Sequence, residues 1–256
     1  MELQGRSAVV TGGAGGLGAA TVRRLVDIGV RVAVFDLDAD RAGQLVKELG
    51  GNTLAVSGDV NDDDAVGGAI QSARSLGPLS ILVNVAGGGV GGSRTVRRGG
   101  IPHDKESFTK TMEMNAVGTF NVSRLVAAAM GENEPDENGQ RGVVVNTASI
   151  AGMEGKSGQV AYGAAKAAIL GMTLPMARDL APIGVRVCAI APGMMGTPLM
   201  LGALEHLKED PAQGIVFPKR LGYPEEFAMM VESIVRNPYL NGENIRLDGA
   251  LRFTAN

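Results

Sequence analysis

The chain has 256 residues, with 24 Lys and Arg against 27 Asp and Glu, so its net charge is −3 and its pI is about 5.5. This acidic balance argues against a surface that binds nucleic acid directly. A single cysteine, Cys188, excludes a disulfide within the chain, and no metal-ligand spacing is present, so we expect no metal site.

The first 36 residues predict a dinucleotide site. SAVVTGGAGGLGAATVRRLVDIG reads as a buried strand, a glycine-rich turn and an amphipathic helix. Gly12 is expected to open the turn, Gly16 to let the backbone approach a pyrophosphate, and Gly18 to let the helix pack closely on the sheet. RVAVFD follows as a second strand ending in Asp36, about 20 residues beyond the turn, where an acid can bind a ribose 2′-hydroxyl.

Strands and helices alternate along the rest of the chain. The strands are TLAVSGDV, LSILVNVAG, GVVVNTAS, VRVCAIAPG and ENIRLDG, and the best-patterned helices are 108–130, 160–180 and 224–235. This alternation predicts an α/β fold, in which a parallel sheet is covered on both faces. We expect a single Rossmann-like, doubly wound domain over residues 1–256, with a seven-stranded parallel sheet and helices on both faces.

Two long segments interrupt the alternation near 87–107 and 193–218. In open α/β sheets, ligands bind beyond the carboxyl ends of the strands. Since both segments leave such ends, we expect them to border one cleft and to act as lids over the substrate.

The segment AYGAAK sets Tyr162 and Lys166 four residues apart, on one helix face, shortly after Ser149 at the end of the fifth strand. A nearby ammonium favours the phenolate and is expected to lower the pKa of Tyr162 toward a useful range for a base. On spacing alone, a surface lysine near a half-buried tyrosine is the simpler interpretation. The dinucleotide segment upstream favours a catalytic pair.

These motifs together resemble the short-chain dehydrogenase/reductase family. They run in the family's order through almost the whole chain, with Val85 standing where the family more often has Asn. The resemblance implies a catalytic tetrad of Asn115, Ser149, Tyr162 and Lys166. It implies cofactor contacts from Thr11, Gly12, Gly16, Leu17, Gly18, Asp36, Asp59, Val60, Asn84, Ala86, Gly87, Tyr162, Lys166, Pro192, Gly193 and Thr197.

Several segments narrow the resemblance to the type II 3-hydroxyacyl-CoA dehydrogenases, among them MGENEPDENGQRGVVVNTAS and NPYLNGENIRLDGALR. That branch implies oxidation of L-3-hydroxyacyl-CoA with NAD in fatty-acid β-oxidation, some activity on hydroxysteroids, and a homotetramer. In it, Ser149, Gln159 and Tyr162 are expected to contact substrate. Arg94, Arg97 and Arg98 would either contact the phosphates of coenzyme A or be solvated surface charges.

The resemblance also implies how the tetrad works. Ser149 and Tyr162 would hydrogen-bond the substrate oxygen, and Tyr162 would take its proton. Lys166 would bond the nicotinamide ribose, while Asn115 would hold a water that joins Lys166 to solvent.

Two other functions remain open on the sequence. One is an NADPH-linked 3-oxoacyl-carrier-protein reductase with the same tetrad, although the glycine turn holds no cation for a 2′-phosphate and Asp36 would repel it. The other is a scaffold role in RNA processing through partners. A first strand close to Met1 leaves no room for a targeting segment and no membrane-length apolar run is evident, so we expect a cytoplasmic protein, with a mitochondrial location still open.

Overall fold

The computed structural model of the chain describes residues 2–89, 92–204 and 212–253 and has the expected parallel sheet. All seven strands pair in parallel, in the order β3-β2-β1-β4-β5-β6-β7. The strands are β1 (Ser7–Thr11), β2 (Arg31–Asp36), β3 (Thr53–Ser57), β4 (Leu79–Asn84), β5 (Gly142–Thr147), β6 (Val185–Pro192) and β7 (Asn244–Leu247). The prediction of a seven-stranded parallel sheet is confirmed.

The helices lie between the strands as the alternation predicts. They are α1 (Gly16–Asp27), α2 (Ala39–Leu49), α3 (Asp63–Leu76), α4 (Lys105–Met112), α5 (Gly118–Met130), α6 (Val160–Leu180), α7 (Pro198–Leu204) and α8 (Pro224–Arg236). The predicted helix 108–130 starts earlier, because Asp104 caps it by accepting from the N–H of Ser107 at 2.7 Å. It also contains a π turn, Glu113–Val117, between α4 and α5.

Successive residues of each inner strand face opposite layers. Val10 of β1 packs with α1, α2 and α8, whereas its neighbour Val9 packs with α3, α5 and α6. A strand buried on both faces reads as a continuous apolar run, which is why the strand positions are legible in the sequence.

The two long segments contain structure that the sequence did not predict. A short antiparallel hairpin joins Val96–Arg97 to Ile101–Pro102, and α7 lies in the second segment. Residues 90–91 of the first segment and 205–211 of the second lie outside the described residues.

The sheet order reverses at β1, which has β2 on one side and β4 on the other. Beyond that point three polar residues stand in register at the carboxyl edge, since Thr11 aligns with Asn84 and Asn84 with Asn146. A ligand cleft is expected at such a reversal.

The expectation that no segment is long and apolar enough to cross a membrane is wrong by length and composition, since the segment Val160–Ile183 meets both criteria. In this fold the segment contains α6, which packs along β6 and buries Ile169, Thr173 and Met176. Burial accounts for part of its apolar composition, since 39% of the segment's apolar window is buried.

Candidate active site

The glycine turn between β1 and α1 is shaped for close approach. Gly12 has a φ of +59°, and a Cβ on it would lie 2.8 Å from the backbone nitrogen of Ala86. A Cβ on Gly18 would collide with the carbonyl oxygen of Gly12. Gly18 therefore lets α1 pack against the turn itself, rather than against the sheet as predicted.

The first turn of α1 is open to an anion. Its N-cap is Gly15, which has no side chain, and no acidic residue lies in the first turn. The unpaired N–H groups and the positive dipole end there suit a pyrophosphate. Leu17 is half-buried against the core, and the Cβ position of Gly16 would lie 2.8 Å from Cβ of Thr197. Gly16 thus also makes room for the segment after β6.

Asp36 ends β2 beside this turn, as predicted. Its Oδ2 accepts a hydrogen bond from the N–H of Ala14 at 2.9 Å, and its Oδ1 accepts from the N–H of Asp38 at 3.0 Å. Each carboxylate oxygen has a second lone-pair direction for a ribose hydroxyl. A cation that the sequence analysis missed also reaches the turn, because Arg41 donates from Nη2 to the carbonyl oxygen of Ala14 at 3.0 Å.

Thr11 and Asn84 form the floor of the site. Both are buried, and Thr11 Oγ1 accepts from the backbone N–H groups of Val85 and Ala86, each at 3.1 Å. Asn84 donates from Nδ2 to Asn146 Oδ1 at 2.9 Å. These side chains hold the turn after β4 in place.

Asp59 and Val60 follow β3, where the adenine end of a dinucleotide was predicted. Asp59 Oδ1 accepts from the backbone N–H and the side-chain amide of Asn61, at 2.9 and 3.1 Å. Asn121 of α5 donates to the carbonyl oxygen of Val60 at 2.9 Å, which fixes the backbone of this turn.

Ser149 and Tyr162 lie together, on opposite sides of the turn that links β5 to α6. Ser149 Oγ accepts from the N–H of Ala151 at 3.1 Å, which orients the hydroxyl. Burial raises the pKa of the Tyr162 hydroxyl, and a hydrogen bond with Ser149 opposes that rise. The pKa of Tyr162 is therefore raised and not lowered as predicted, and burial is the main cause.

Lys166 is buried, with only 3% of its surface exposed. Its Nζ donates to the carbonyl oxygen of Thr147 at 2.9 Å and lies 5.7 Å from the ring centroid of Tyr162. Burial lowers the pKa of Lys166 to about 8. The ammonium is thus held by the end of β5, within reach of the tyrosine ring.

Asn115 occupies the π turn, a feature frequent at functional sites. Its side chain donates to the carbonyl oxygens of Gly88 and Thr111, both at 2.8 Å, and accepts from the N–H of Gly88 at 3.1 Å. A Cβ on Gly87 would lie 2.5 Å from Asn115 Oδ1 and 3.4 Å from Lys166 Nζ. Gly87 therefore brings the segment after β4 against two of the predicted catalytic residues.

The segment after β6 closes the other side. Gly193 donates its N–H to the carbonyl oxygen of Leu247 at 2.9 Å, directly after the buried Pro192. Thr197 Oγ1 accepts from the N–H of Met200 at 3.3 Å, and Thr197 faces Gly16 of the glycine turn. The segment after β6 therefore lies against the glycine turn that follows β1.

A groove of about 700 Å³ lies between the segment after β4 and the start of α6, and neither Ser149 nor Tyr162 is among its lining residues. Arg94, Lys156 and Gln159 line it, and Gln159 Oε1 is buried without a hydrogen-bond partner in the described structure. Arg97 and Arg98 are exposed on the hairpin and do not line the groove. Of the three predicted arginines, only Arg94 borders it.

Sequence reasoning missed several residues that support the site. Asn146 and Thr147 stand at the end of the fifth strand GVVVNT, where two polar residues follow an apolar run. Arg41 and Lys156 are ordinary charged residues in polar stretches. No sequence pattern marks them, because only the tertiary fold brings them to the site.

The shape of the glycine turn and the polar groups beside it fit a dinucleotide. A Cβ would fill the turn at Gly12, the first turn of α1 is free of negative charge, and Asp36 offers acceptors beside it. These residues match the chemistry of a diphosphate flanked by a ribose.

Comparison with known proteins agrees with this geometry. The profile of a family described as short chain dehydrogenase matches residues 6–207. The 3-hydroxyacyl-CoA dehydrogenase type-2 of Homo sapiens is 48% identical over 252 residues, which cover 98% of this chain and 97% of that protein.

Two solved structures are also similar. A 3-hydroxyacyl-CoA dehydrogenase type-2 from Mycobacterium avium has a TM-score of 0.95 and 49% identity, with all of both chains covered. A 7α-hydroxysteroid dehydrogenase in complex with NADH and 7-oxo glycochenodeoxycholic acid has a TM-score of 0.86 and 28% identity, covering 100% of this chain and 97% of that one.

Proposed function

The chain belongs to the short-chain dehydrogenase family, and we propose that it oxidises the 3-hydroxyl group of an acyl-CoA, with NAD as the hydride acceptor. The observation that carries the proposal is the convergence of Ser149, Tyr162 and Lys166 at the cleft that the glycine turn and Asp36 also border. The near full-length similarity to 3-hydroxyacyl-CoA dehydrogenases supports the choice of substrate.

When bound, NAD supplies the acceptor for the hydride that leaves C3 of the substrate. Tyr162 accepts the proton of the substrate hydroxyl on its phenolate oxygen, so the products are a 3-oxoacyl-CoA, NADH and one proton. Ser149, whose hydroxyl is oriented by the N–H of Ala151, holds the substrate oxygen next to Tyr162. Lys166 Nζ lies 5.7 Å from the ring centroid of Tyr162, and it would hydrogen-bond the nicotinamide ribose when NAD is bound.

Asn115 acts through its neighbours in this proposal. Its three side-chain hydrogen bonds to Gly88 and Thr111 hold the segment after β4 against Lys166. The π turn that carries Asn115 also disrupts the regular helical hydrogen bonds, as a water-binding site requires. A water there would connect Lys166 to solvent.

The groove between the segment after β4 and the start of α6 suits the coenzyme A part of the substrate. Arg94 and Lys156 give it two cations, and phosphate groups bind strongly to such side chains. Gln159 Oε1 offers a buried acceptor for an amide N–H of the pantetheine arm. The groove size is in the range of known ligand sites.

Two features favour a homotetramer as the working form. The side chains of Met114, Val117 and Phe120 lie exposed along the helix around α5, and Val160 and Leu174 lie exposed on α6. Exposed apolar rows of this kind are typical of protein interfaces. Light scattering of the purified chain, with Phe120→Asp as the disrupting variant, tests this part of the proposal.

The test of function is a panel of L-3-hydroxyacyl-CoA esters of increasing length, a 3-hydroxy ester without coenzyme A, and a hydroxysteroid, each with NAD and with NADP. We expect the highest kcat/KM with an acyl-CoA and NAD. A higher kcat/KM for the hydroxysteroid would reassign the substrate. A preference for NADP would favour the carrier-protein reductase, and RNA binding in a gel shift without turnover of any substrate would favour the scaffold role.

A further inference from the structure

One residue of the glycine turn, Ala14, is held by two opposite charges. Its N–H donates to Asp36 Oδ2 at 2.9 Å, and its carbonyl oxygen accepts from Arg41 Nη2 at 3.0 Å. Asp36 ends β2, and Arg41 lies in the first turn of α2, where Asp38 caps the helix by accepting from the N–H of Arg41 at 3.0 Å. The two charged side chains therefore flank the same backbone unit.

Most of the hydrogen-bonding capacity of Arg41 is unused. A guanidinium has five N–H donors, and the contact with Ala14 takes one of them. Over residues 2–89, 92–204 and 212–253, no carboxylate forms an ion pair with Arg41, although Asp36 lies on the other side of Ala14. The side chain is also exposed, so solvent or a ligand can reach its remaining donors.

We infer that Arg41 is a second determinant of nucleotide choice. It can bind a phosphate on the ribose 2′-oxygen, but repulsion of that phosphate by Asp36 is the larger effect. An arginine fork is well matched to a phosphate, with two parallel N–H donors. A phosphate bound next to Ala14 would also lie close to the carboxylate of Asp36, and the two negative charges would repel each other. Removal of the Asp36 charge alone is therefore expected to reveal a 2′-phosphate site.

This inference extends the choice of NAD and does not depend on the acyl-CoA substrate. It differs from the general expectation that an acid at the end of β2 excludes NADP, because it assigns the opposing attraction to one residue. The glycine turn itself holds no cation, as the sequence indicates, and Arg41 reaches it from α2.

The test compares adenosine 2′,5′-bisphosphate with 5′-AMP by isothermal titration calorimetry, so no turnover is needed. Asp36→Asn retains an oxygen that accepts from the N–H of Ala14 and removes the charge. We expect this variant to bind the 2′,5′-bisphosphate at least about tenfold more tightly, relative to 5′-AMP, than the unmodified chain does. Adding Arg41→Gln should abolish that gain.

Lys47→Gln is the matched control, because it removes one positive charge from the last turn of the same helix. Added to Asp36→Asn, it should leave the gain intact. The inference is overturned if Asp36→Asn gives no gain, if the gain survives Arg41→Gln, or if Lys47→Gln reduces it equally.

A second arm does not depend on the Asp36 variant being folded. Arg41→Gln in the otherwise unmodified chain should weaken binding of the 2′,5′-bisphosphate at least about threefold, while 5′-AMP binding stays within about twofold. Equal weakening of both ligands would mean that Arg41 acts only by holding Ala14, and would also overturn the inference.

Discussion

Lys166 donates from Nζ to the carbonyl oxygen of Thr147 at 2.9 Å, while the ring centroid of Tyr162 lies 5.7 Å from the same nitrogen. The last residue of β5 thus fixes the position of the ammonium relative to the phenol. Because the carbonyl is neutral, this contact does not remove the cost of burying the charge, and the pKa of Lys166 is lowered to about 8. Two protonation states of Lys166 are therefore close in energy at mildly alkaline pH.

Stability should depend on pH through Lys166. Its pKa is about 8 in the folded protein against 10.5 for an ordinary lysine, so between these values the unfolded chain binds more protons. The free energy of unfolding should therefore rise as pH increases from 8 to 10.5, by up to about 3 kcal/mol at roughly 1.4 kcal/mol per pKa unit.

Urea unfolding without ligand at pH 7.5, 9 and 10.5 measures this effect. Lys166→Met is the reference, since it removes the titrating group and leaves other titrations in place. The difference between the two proteins should change over this range. Parallel pH profiles would show that Lys166 does not titrate there.

Tyr162→Phe should reduce kcat to less than a few per cent, because the phenolic oxygen is the proton acceptor in the proposed reaction. NAD binding should stay within about threefold, since the ring still fills its place. Ser149→Ala should lower mainly kcat, because loss of its hydrogen bond to the substrate oxygen raises the transition-state free energy by roughly 2–4 kcal/mol. Steady-state kinetics and NAD titration measure both variants; a Phe variant that retains most of its turnover would remove Tyr162 as the base.

Gly87→Ala should displace the Asn115 side chain. Gly87 has a φ of +150°, and the new Cβ would lie 2.5 Å from Asn115 Oδ1. We expect a fall in kcat of at least about tenfold and a loss of stability of about 1–3 kcal/mol.

Gly88→Ala is its matched control, because the nearest atom to a Cβ there is Met114 Sδ at 3.9 Å. It retains the backbone groups that bond to Asn115, so its kcat should stay close to that of the unmodified chain. Equal effects of the two substitutions on kcat and on urea unfolding would contradict the role given to Gly87.

The sequence predicts the sheet well, and the reason is physical. Strands such as β5 are buried on both faces, so their apolar runs mark them regardless of what they pack against. The glycine turn can also be predicted from local sequence, because the turn itself requires the positive φ of Gly12. The strand order, which brings Thr11, Asn84 and Asn146 together, is known only from the structure.

Electrostatics at the site could not be predicted in the same way. The pKa of Tyr162 is raised by burial, which depends on how α6 packs in the assembled fold and which sequence spacing does not reveal. Arg41 reaches Ala14 across 27 residues of chain, and Lys156 joins Arg94 across the groove. Such contacts depend on the assembled fold, and no short-range pattern encodes them.

The groove separates Arg94, which lines it together with Lys156, from Arg97 and Arg98, which do not line it. Arg94→Ala with Lys156→Ala should raise KM for an acyl-CoA about tenfold or more and spare a 3-hydroxy ester that lacks phosphates. The penalty should shrink as salt increases, because exposed charge pairs are screened.

Arg97→Ala with Arg98→Ala is the comparison of equal charge, on the exposed hairpin away from the groove. It should change KM for the acyl-CoA less than about twofold. A larger effect from this pair than from Arg94 and Lys156 would place the coenzyme against the hairpin instead of in the groove.

The most direct test of the account follows the hydride itself. The chain would be incubated with NAD and an L-3-hydroxyacyl-CoA carrying deuterium on C3, and the nicotinamide product examined by NMR and mass spectrometry. The account predicts NADH with one deuterium at C4 of the nicotinamide, formed with the unmodified chain and lost in Tyr162→Phe. Unlabelled NADH, or no NADH while 5′-AMP still binds, would contradict it.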